Sequence, residues 1–202
     1  MIAMLDTSED LDVCEAEIGC PVEQLLTPLT RFTRQREGAY FGIDNGCFKR
    51  FDEYTFRKLL DREKHARHLC RFVCCPDVVG SAIRTLEIFE HWRHNLSGWP
   101  VALVAQDGQE SLPIPWHDVQ AIFIGGSTAW KDGPHAAAIV RTAKILGKWV
   151  HVGRINTPGR FEKFDALGAD SMDGSGLARF SWMRERIWDA QHKPTLFTEA
   201  VA

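Results

Sequence analysis

Three aspartates each close a short apolar run and open onto loop residues. They are Asp44 in Tyr40-Phe41-Gly42-Ile43-Asp44-Asn45-Gly46, Asp77 in Phe72-Val73-Cys74-Cys75-Pro76-Asp77, and Asp173 in Ala169-Asp170-Ser171-Met172-Asp173-Gly174. Such a run reads as a buried parallel strand with a polar side chain emerging at its end, and in a β/α barrel that rim carries the catalytic groups. Further apolar runs end at Gln106, at Gly125-Gly126 and at Gly153-Arg154. One rim would therefore hold three carboxylates, an amide that both donates and accepts, and a glycine pair whose backbone lets a planar ligand come close. That set suits a heterocycle with an amide edge, such as a purine. Two carboxylates facing across a glycosidic bond are the usual means of passing an oxocarbenium-like transition state, so bond breaking at a nucleoside C1′ is chemistry this rim would support.

The elements that must position these residues follow from periodicity. Apolar runs at residues 1–5, 39–44, 70–75, 101–105, 121–125, 149–153 and 169–172 read as about seven strands. Helical periodicity fills the stretches between them at 52–65 (Phe56, Leu59, Leu60), 81–95 (Ile83, Leu86, Ile88, Phe89) and 134–146 (Ile139, Val140, Ile145, Leu146). The segment from Val22 to Phe32, between Pro21 and the region after Pro28, reads as a further helix. Alternating strands and helices imply a parallel sheet. The expected fold is a compact or incomplete (β/α)8 barrel in a single domain spanning residues 1–202, with an open doubly wound sheet as the alternative. Neither the dinucleotide G-x-G-x-x-G fingerprint nor a P-loop occurs.

Composition sets the limits. With 202 residues, 45% apolar and 25% charged, the chain is long enough for one good core, and disorder is expected only at the last few residues. No apolar stretch reaches membrane-spanning length, and the N-terminus lacks a basic region followed by an apolar core, so no membrane association and a cytoplasmic location are expected. Six cysteines at irregular spacing, without any C-x-x-C, suit buried thiols better than a metal cluster. A net charge of −3 argues against coating nucleic acid by bulk charge, yet residues 141–193 carry ten Lys or Arg against six Asp or Glu, leaving a local basic face open. The stretch 179–188 reads as an amphipathic helix closing the barrel, with Phe180, Met183, Ile187 and Trp188 inward and its arginines outward. Strand alternation puts Asp170 on the face opposite Asp173. The orientation of His151, near the same rim, stays open.

In order along the chain, Asp44-Asn45-Gly46-Cys47-Phe48, Asp77, Gln106, Gly125-Gly126-Ser127-Thr128-Ala129-Trp130-Lys131, Val152-Gly153-Arg154-Ile155-Asn156-Thr157-Pro158 and Asp170-Ser171-Met172-Asp173-Gly174 resemble the tRNA-guanine transglycosylase superfamily. The second glycine motif and the last segment are most similar to its phage and bacterial branch, the deazapurine-DNA transglycosylases. The resemblance covers roughly residues 39–180 and implies exchange of guanine in DNA for a 7-deazaguanine. It assigns the nucleophile to Asp173 and acid/base work to Asp44. Asp77, Gln106, Gly125 and Gly126 would read the base with Asn45 and Phe48 beside them, and Arg154 and Arg179 would contact the nucleic acid. It implies no cofactor and no metal at this site, a target base flipped out of the stack, and a partner protein or second copy of the chain as a further option. The C-x-C-x-x-C zinc motif of the family's tRNA enzymes has no counterpart, since no cysteine follows Cys75. The same rim also suits a glycosylase in which water completes the reaction, or a non-catalytic deazapurine-binding module.

Overall fold

The computed structural model describes residues 1–48 and 50–192. Lys193, counted above in the basic stretch, and the last residues, expected to be disordered, lie outside the described residues. The element order is β1 (Ile2–Leu5), α1 (Leu11–Ile18), β2 (Val22–Leu26), β3 (Phe41–Ile43), α2 (Glu53–Glu63), β4 (Cys70–Cys74), α3 (Ala82–Trp92), β5 (Val101–Ala105), β6 (Ala121–Ile124), α4 (Thr128–Asp132), α5 (Pro134–Ile145), β7 (Trp149–Val152), α6 (Pro158–Ala166), β8 (Ser171–Met172) and α7 (Ser181–His192). All eight strands are parallel, each beside its neighbour in sequence, and β8 pairs with β1 through Ile2↔Ser171 and Ala3↔Met172. The sheet is therefore a closed (β/α)8 barrel, neither incomplete nor an open doubly wound sheet.

The eighth strand is β2, placed where periodicity predicts a helix. Val22 to Leu26 is extended and fully buried, and it bridges β1 and β3. Its polar pair misled the pattern: Glu23 is buried because Arg71 holds its carboxylate at 2.8 and 3.2 Å, and Gln24 because its amide carbonyl accepts from Gln35 N at 2.8 Å.

Strand alternation sorts the core into two layers. Ala3, Leu5, Val73, Leu103, Ile122, Ile124, Val150 and Met172 face the helices, whereas Met4, Leu25, Phe72, Cys74, Ala102, Val104, Ala121 and Phe123 fill the barrel. One irregularity lies in β4: Phe41 pairs with Cys70 but Gly42 with Phe72, so Arg71 is the skipped residue of a β-bulge. The bulge lets Arg71 reach inward to Glu23 and lie over the Tyr40 and Trp149 rings, at 3.6 and 4.7 Å, while Phe72 still enters the interior.

The helices form where caps and apolar stripes allow. Asp52 caps α2 by accepting from Thr55 N, and Phe56, Leu59 and Leu60 bury against the barrel. Ser81 caps α3, in which Thr85 and Phe89 are buried but Ile83 is exposed. Pro134 opens α5 at its first turn; Ile139 and Val140 bury, while Ile145 and Leu146 of the expected stripe stay exposed. The C-terminal helix α7 packs on α1, with a different inner face from the expected one. Ile187 is buried, Met183 partly so, and Phe180 and Trp188 are exposed. The largest fully buried side chain among the described residues is Arg184, which faces inward to Glu17 Oε2 at 2.5 Å, Glu9 Oε2 at 2.7 Å and Leu177 O at 2.7 Å. Among the described residues no helix is long and apolar enough to cross a membrane. All six cysteines are free and five of them are buried.

Candidate active site

The C-terminal ends of β3 to β8 surround a cavity of about 220 Å³, lined by Asp44, Asn45, Phe48, Asp77, Gln106, Gly125, Gly126, Arg154 and Asp173 over an apolar floor of Cys74, Val104 and Phe123. Pockets for drug-sized ligands span roughly 300–1,000 Å³, so this space suits a smaller ligand. A second cavity of about 170 Å³ adjoins it over Met4 and Leu25, with Asp6 and Thr27 on its far side. The two cavities share Asp44, Asp173 and Ser175 as a common wall. Of the ten residues singled out from sequence, nine converge on the first cavity. Arg179 is exposed and lines neither, although its charge lies close enough to Asp6 to favour the ionised form there.

Hydrogen bonds preset the wall that carries Asp77. Asn45 donates to Cys75 O at 2.7 Å and to Asp77 Oδ1 at 2.8 Å, and Gln106 Nε2 donates to Asp77 Oδ2 at 2.6 Å. Gln106 Oε1 in turn accepts from Gly80 N and Gly126 N, both at 2.9 Å. Asp77 is thus aimed by two amides, one of which, Gln106, is itself tied to the Gly80 and Gly126 backbones. Burial pushes the Asp77 pKa up, and the Asn45 and Gln106 donors pull it partly back. Gly126 has φ +62°, and a Cβ there would lie 2.5 Å from Trp130 Cε3, so glycine is required.

Asp44 accepts from Gly46 N at 2.6 Å, the turn geometry that an Asp-Asn-Gly sequence favours. One edge of its carboxyl faces the cavity, but protein surrounds the rest. Burial raises its pKa from 3.8 to about 7, partly opposed by the Gly46 N–H and reinforced by the negative charges of Asp173, Asp77 and Asp6. A carboxyl titrating near neutrality is matched to proton transfer.

Asp173 is held from two sides. Its Oδ1 accepts from Arg154 N at 3.0 Å and its Oδ2 lies 3.0 Å from His151 Nε2. The first contact needs an unusual backbone, for Arg154 has φ +61°, the one non-glycine residue with positive φ among those described. Such a conformation costs about 1–3 kcal/mol and persists where its surroundings impose it. Here the Arg154 guanidinium reaches back to Gly126 O and lies 5.1 Å from the centre of the Phe48 ring, bridging β3, β6 and β7 across the cavity. Gly153 makes this turn possible: a Cβ there would lie 2.6 Å from Phe123 Cε1, inside the floor. Buried beneath the turn, Lys131 donates from Nζ to Gly153 O, and burial with the nearby Arg154 charge lowers its pKa to about 8. Asp170 faces the other way, as alternation requires, with Lys144 Nζ 2.6 Å from its carboxylate.

Sequence reasoning left His151 unassigned. Its side chain is fully buried inside the barrel beneath Asp173, between Phe72 and Phe123, with ring centroids at 4.9 and 4.6 Å. The signal was present in the strand: Val150 and Val152 flank it as outward apolar residues, so alternation sends His151 inward.

No protein-family model matches the chain, and no curated protein matches it. Among solved structures, a mandelate oxidase in complex with 3,3-difluoro-2-hydroxy-3-phenylpropionic acid superposes with a TM-score of 0.53 at 16% identity, over 89% of this chain and 65% of that one. A designed cube-shaped protein cage built by fusing symmetric oligomeric domains aligns over 94% of this chain and 70% of the other, at 16% identity and a TM-score of 0.42. The likeness to the oxidase is one of fold, and this chain spans about two thirds of its length.

Proposed function

We propose that this protein is a base-exchange transglycosylase that replaces guanine in DNA with a 7-deazaguanine. The observation that carries the reading is the common wall: Asp44 and Asp173 stand between a cavity with an apolar floor and polar rim groups, where we place the purine, and a smaller cavity, where we place its sugar. The bond joining base to sugar would lie between the two carboxylates. The resemblance of the rim motifs to the deazapurine-DNA transglycosylases supports the same placement and is the basis for naming DNA.

In this reading Asp77 accepts from the amide edge of guanine, with its own orientation held by Asn45 and Gln106. An Asp173 oxygen attacks C1′ as the C1′–N bond breaks, and the bonding pair leaves with the purine. Asp44 delivers a proton to a ring nitrogen of that leaving base, so guanine departs neutral and an ester joins Asp173 to C1′. A 7-deazaguanine then enters the vacated cavity and gives its ring N–H proton back to Asp44. Its nitrogen bonds to C1′ and Asp173 leaves as carboxylate. The cycle balances without an oxidant, a metal or a nucleotide cofactor.

The test is duplex DNA carrying radiolabelled guanine, incubated with and without 7-cyano-7-deazaguanine, with strand integrity read after alkali. Label release that requires the deazaguanine and leaves alkali-stable strands is expected, and Asp173→Ala should abolish it with the fold intact. Release without added base, giving alkali-labile strands, would identify a hydrolytic glycosylase instead. Full exchange by the Asp173→Ala variant would overturn the role of that residue.

A further inference from the structure

We infer that His151 is a positioning residue for Asp173, its ring tautomer set by a hydrogen-bond chain that crosses the barrel interior from Trp149 through Ser171. The role rests on the reading of Asp173 as nucleophile, but the chain itself is independent of which reaction the site performs.

The direction of the chain follows from what each group can do. Trp149 Nε1 carries a hydrogen and no usable lone pair, so Ser171 Oγ, 2.9 Å away, must accept from it. The single hydroxyl hydrogen of Ser171 is then free to point at His151 Nδ1, also 2.9 Å away. With Nδ1 accepting, a neutral ring carries its proton on Nε2, and Nε2 faces Asp173 Oδ2 at 3.0 Å. An ionised carboxylate can only accept, so each link reinforces the next, from the Trp149 end of the barrel to the rim.

Packing argues against an inert filler. The surrounding interior positions are apolar, among them Phe72, Cys74, Val104 and Phe123, and an apolar residue at 151 would avoid the cost of burying two ring nitrogens. Instead both nitrogens are partnered, and the two flanking phenyl rings fix the imidazole plane. Asp173 therefore receives two donors from different directions, Arg154 N on Oδ1 and His151 Nε2 on Oδ2. Its rotamer is set, and each oxygen keeps a lone pair for C1′. A donor on Oδ2 also favours Asp173 as the departing carboxylate in the second step.

The experiment uses the intact protein labelled with 15N at histidine, reading two-bond correlations between ring carbons' hydrogens and both ring nitrogens. The wild-type His151 ring should show a protonated Nε2 and an unprotonated Nδ1. Ser171→Ala, which removes the donor to Nδ1 with little change in volume, should mix the tautomers. It should also lower kcat for guanine exchange by about 10- to 100-fold, the scale of a misplaced reacting group. KM should stay within about threefold, because ground-state base contacts are untouched. Trp149→Phe should shift the tautomer in the same direction by leaving Ser171 free to accept. A wild-type ring protonated at Nδ1, or unchanged kcat in Ser171→Ala despite a mixed tautomer, overturns the positioning role. An Nε2-protonated ring in a wild-type protein that exchanges no base overturns instead the reaction assigned to Asp173.

Discussion

Replacing Asp44 with asparagine should make the protein more stable, and by a larger margin at pH 8 than at pH 5. The folded carboxyl titrates near 7 because of burial and neighbouring carboxylates, against 3.8 for an exposed aspartate. A raised folded pKa means that the native state holds a proton which the unfolded chain has lost. Stability from this group is therefore full below 3.8 and falls steadily as pH rises toward 7. Between pH 5 and about pH 7 the native state keeps the proton that the unfolded chain has lost, and these two pH units at about 1.4 kcal/mol each give roughly 3 kcal/mol. Water in the cavity screens the open edge of the carboxyl, so about 1–3 kcal/mol is the expected range. Asparagine matches the protonated acid in shape and can still accept from Gly46 N through Oδ1. Urea denaturation followed by tryptophan fluorescence at both pH values measures the double difference between variant and wild type, which cancels the groups that titrate independently of Asp44. A variant less stable than wild type at pH 8, or a difference that does not change with pH, would refute the argument that Asp44 is held as a near-neutral proton carrier.

Two further substitutions probe the scaffold. Gly126→Ala forces a side chain into a left-handed backbone at φ +62°, 2.5 Å from Trp130, so it should cost at least about 1–2 kcal/mol and, under the function proposed above, weaken base binding by displacing the loop. Thermal unfolding and base titration together check this, and wild-type values in both would show that the turn is not required. Arg184→Ala leaves Glu9 and Glu17 without their shared cation between α1 and α7. Because Glu9 is half exposed and can recover water, a loss of about 2–3 kcal/mol is expected rather than the larger cost of a wholly buried pair. Denaturant midpoints measure it, and a loss below about 0.5 kcal/mol would place this contact with ordinary surface ion pairs.

Seven of the eight strands were legible because each lies in a largely apolar run, as a sheet buried on both faces demands. The missing one, β2, shows where that logic stops. A barrel interior tolerates a glutamate when an arginine meets it, and Glu23 finds Arg71 48 residues away, a pairing no local pattern encodes. The rim carboxylates were legible singly, as polar ends of runs, but their arrangement into a wall between two cavities depends on barrel closure. The inner face of α7 was misread for a similar reason. Arg184 is the inward residue because two carboxylates approach it from the N-terminal part of the chain, whereas helical periodicity alone favours the aromatics.

The skipped Arg71 in β4 also acts as a gear change between the two ends of that strand. Side chains before it and after it follow opposite counts, so the bulge decides that Phe72 and Cys74, rather than Val73 and Cys75, face the axis. Deleting one residue between Cys70 and Phe72 would shift the residues on one side of the deletion by a pleat, either moving the interior rings outward or pulling Asp77 out of reach of Asn45 and Gln106. Length at this point therefore matters to the fold apart from residue identity. Relatives that keep Asp77 in use should preserve the count from Phe72 to Asp77 even where every side chain between them has changed.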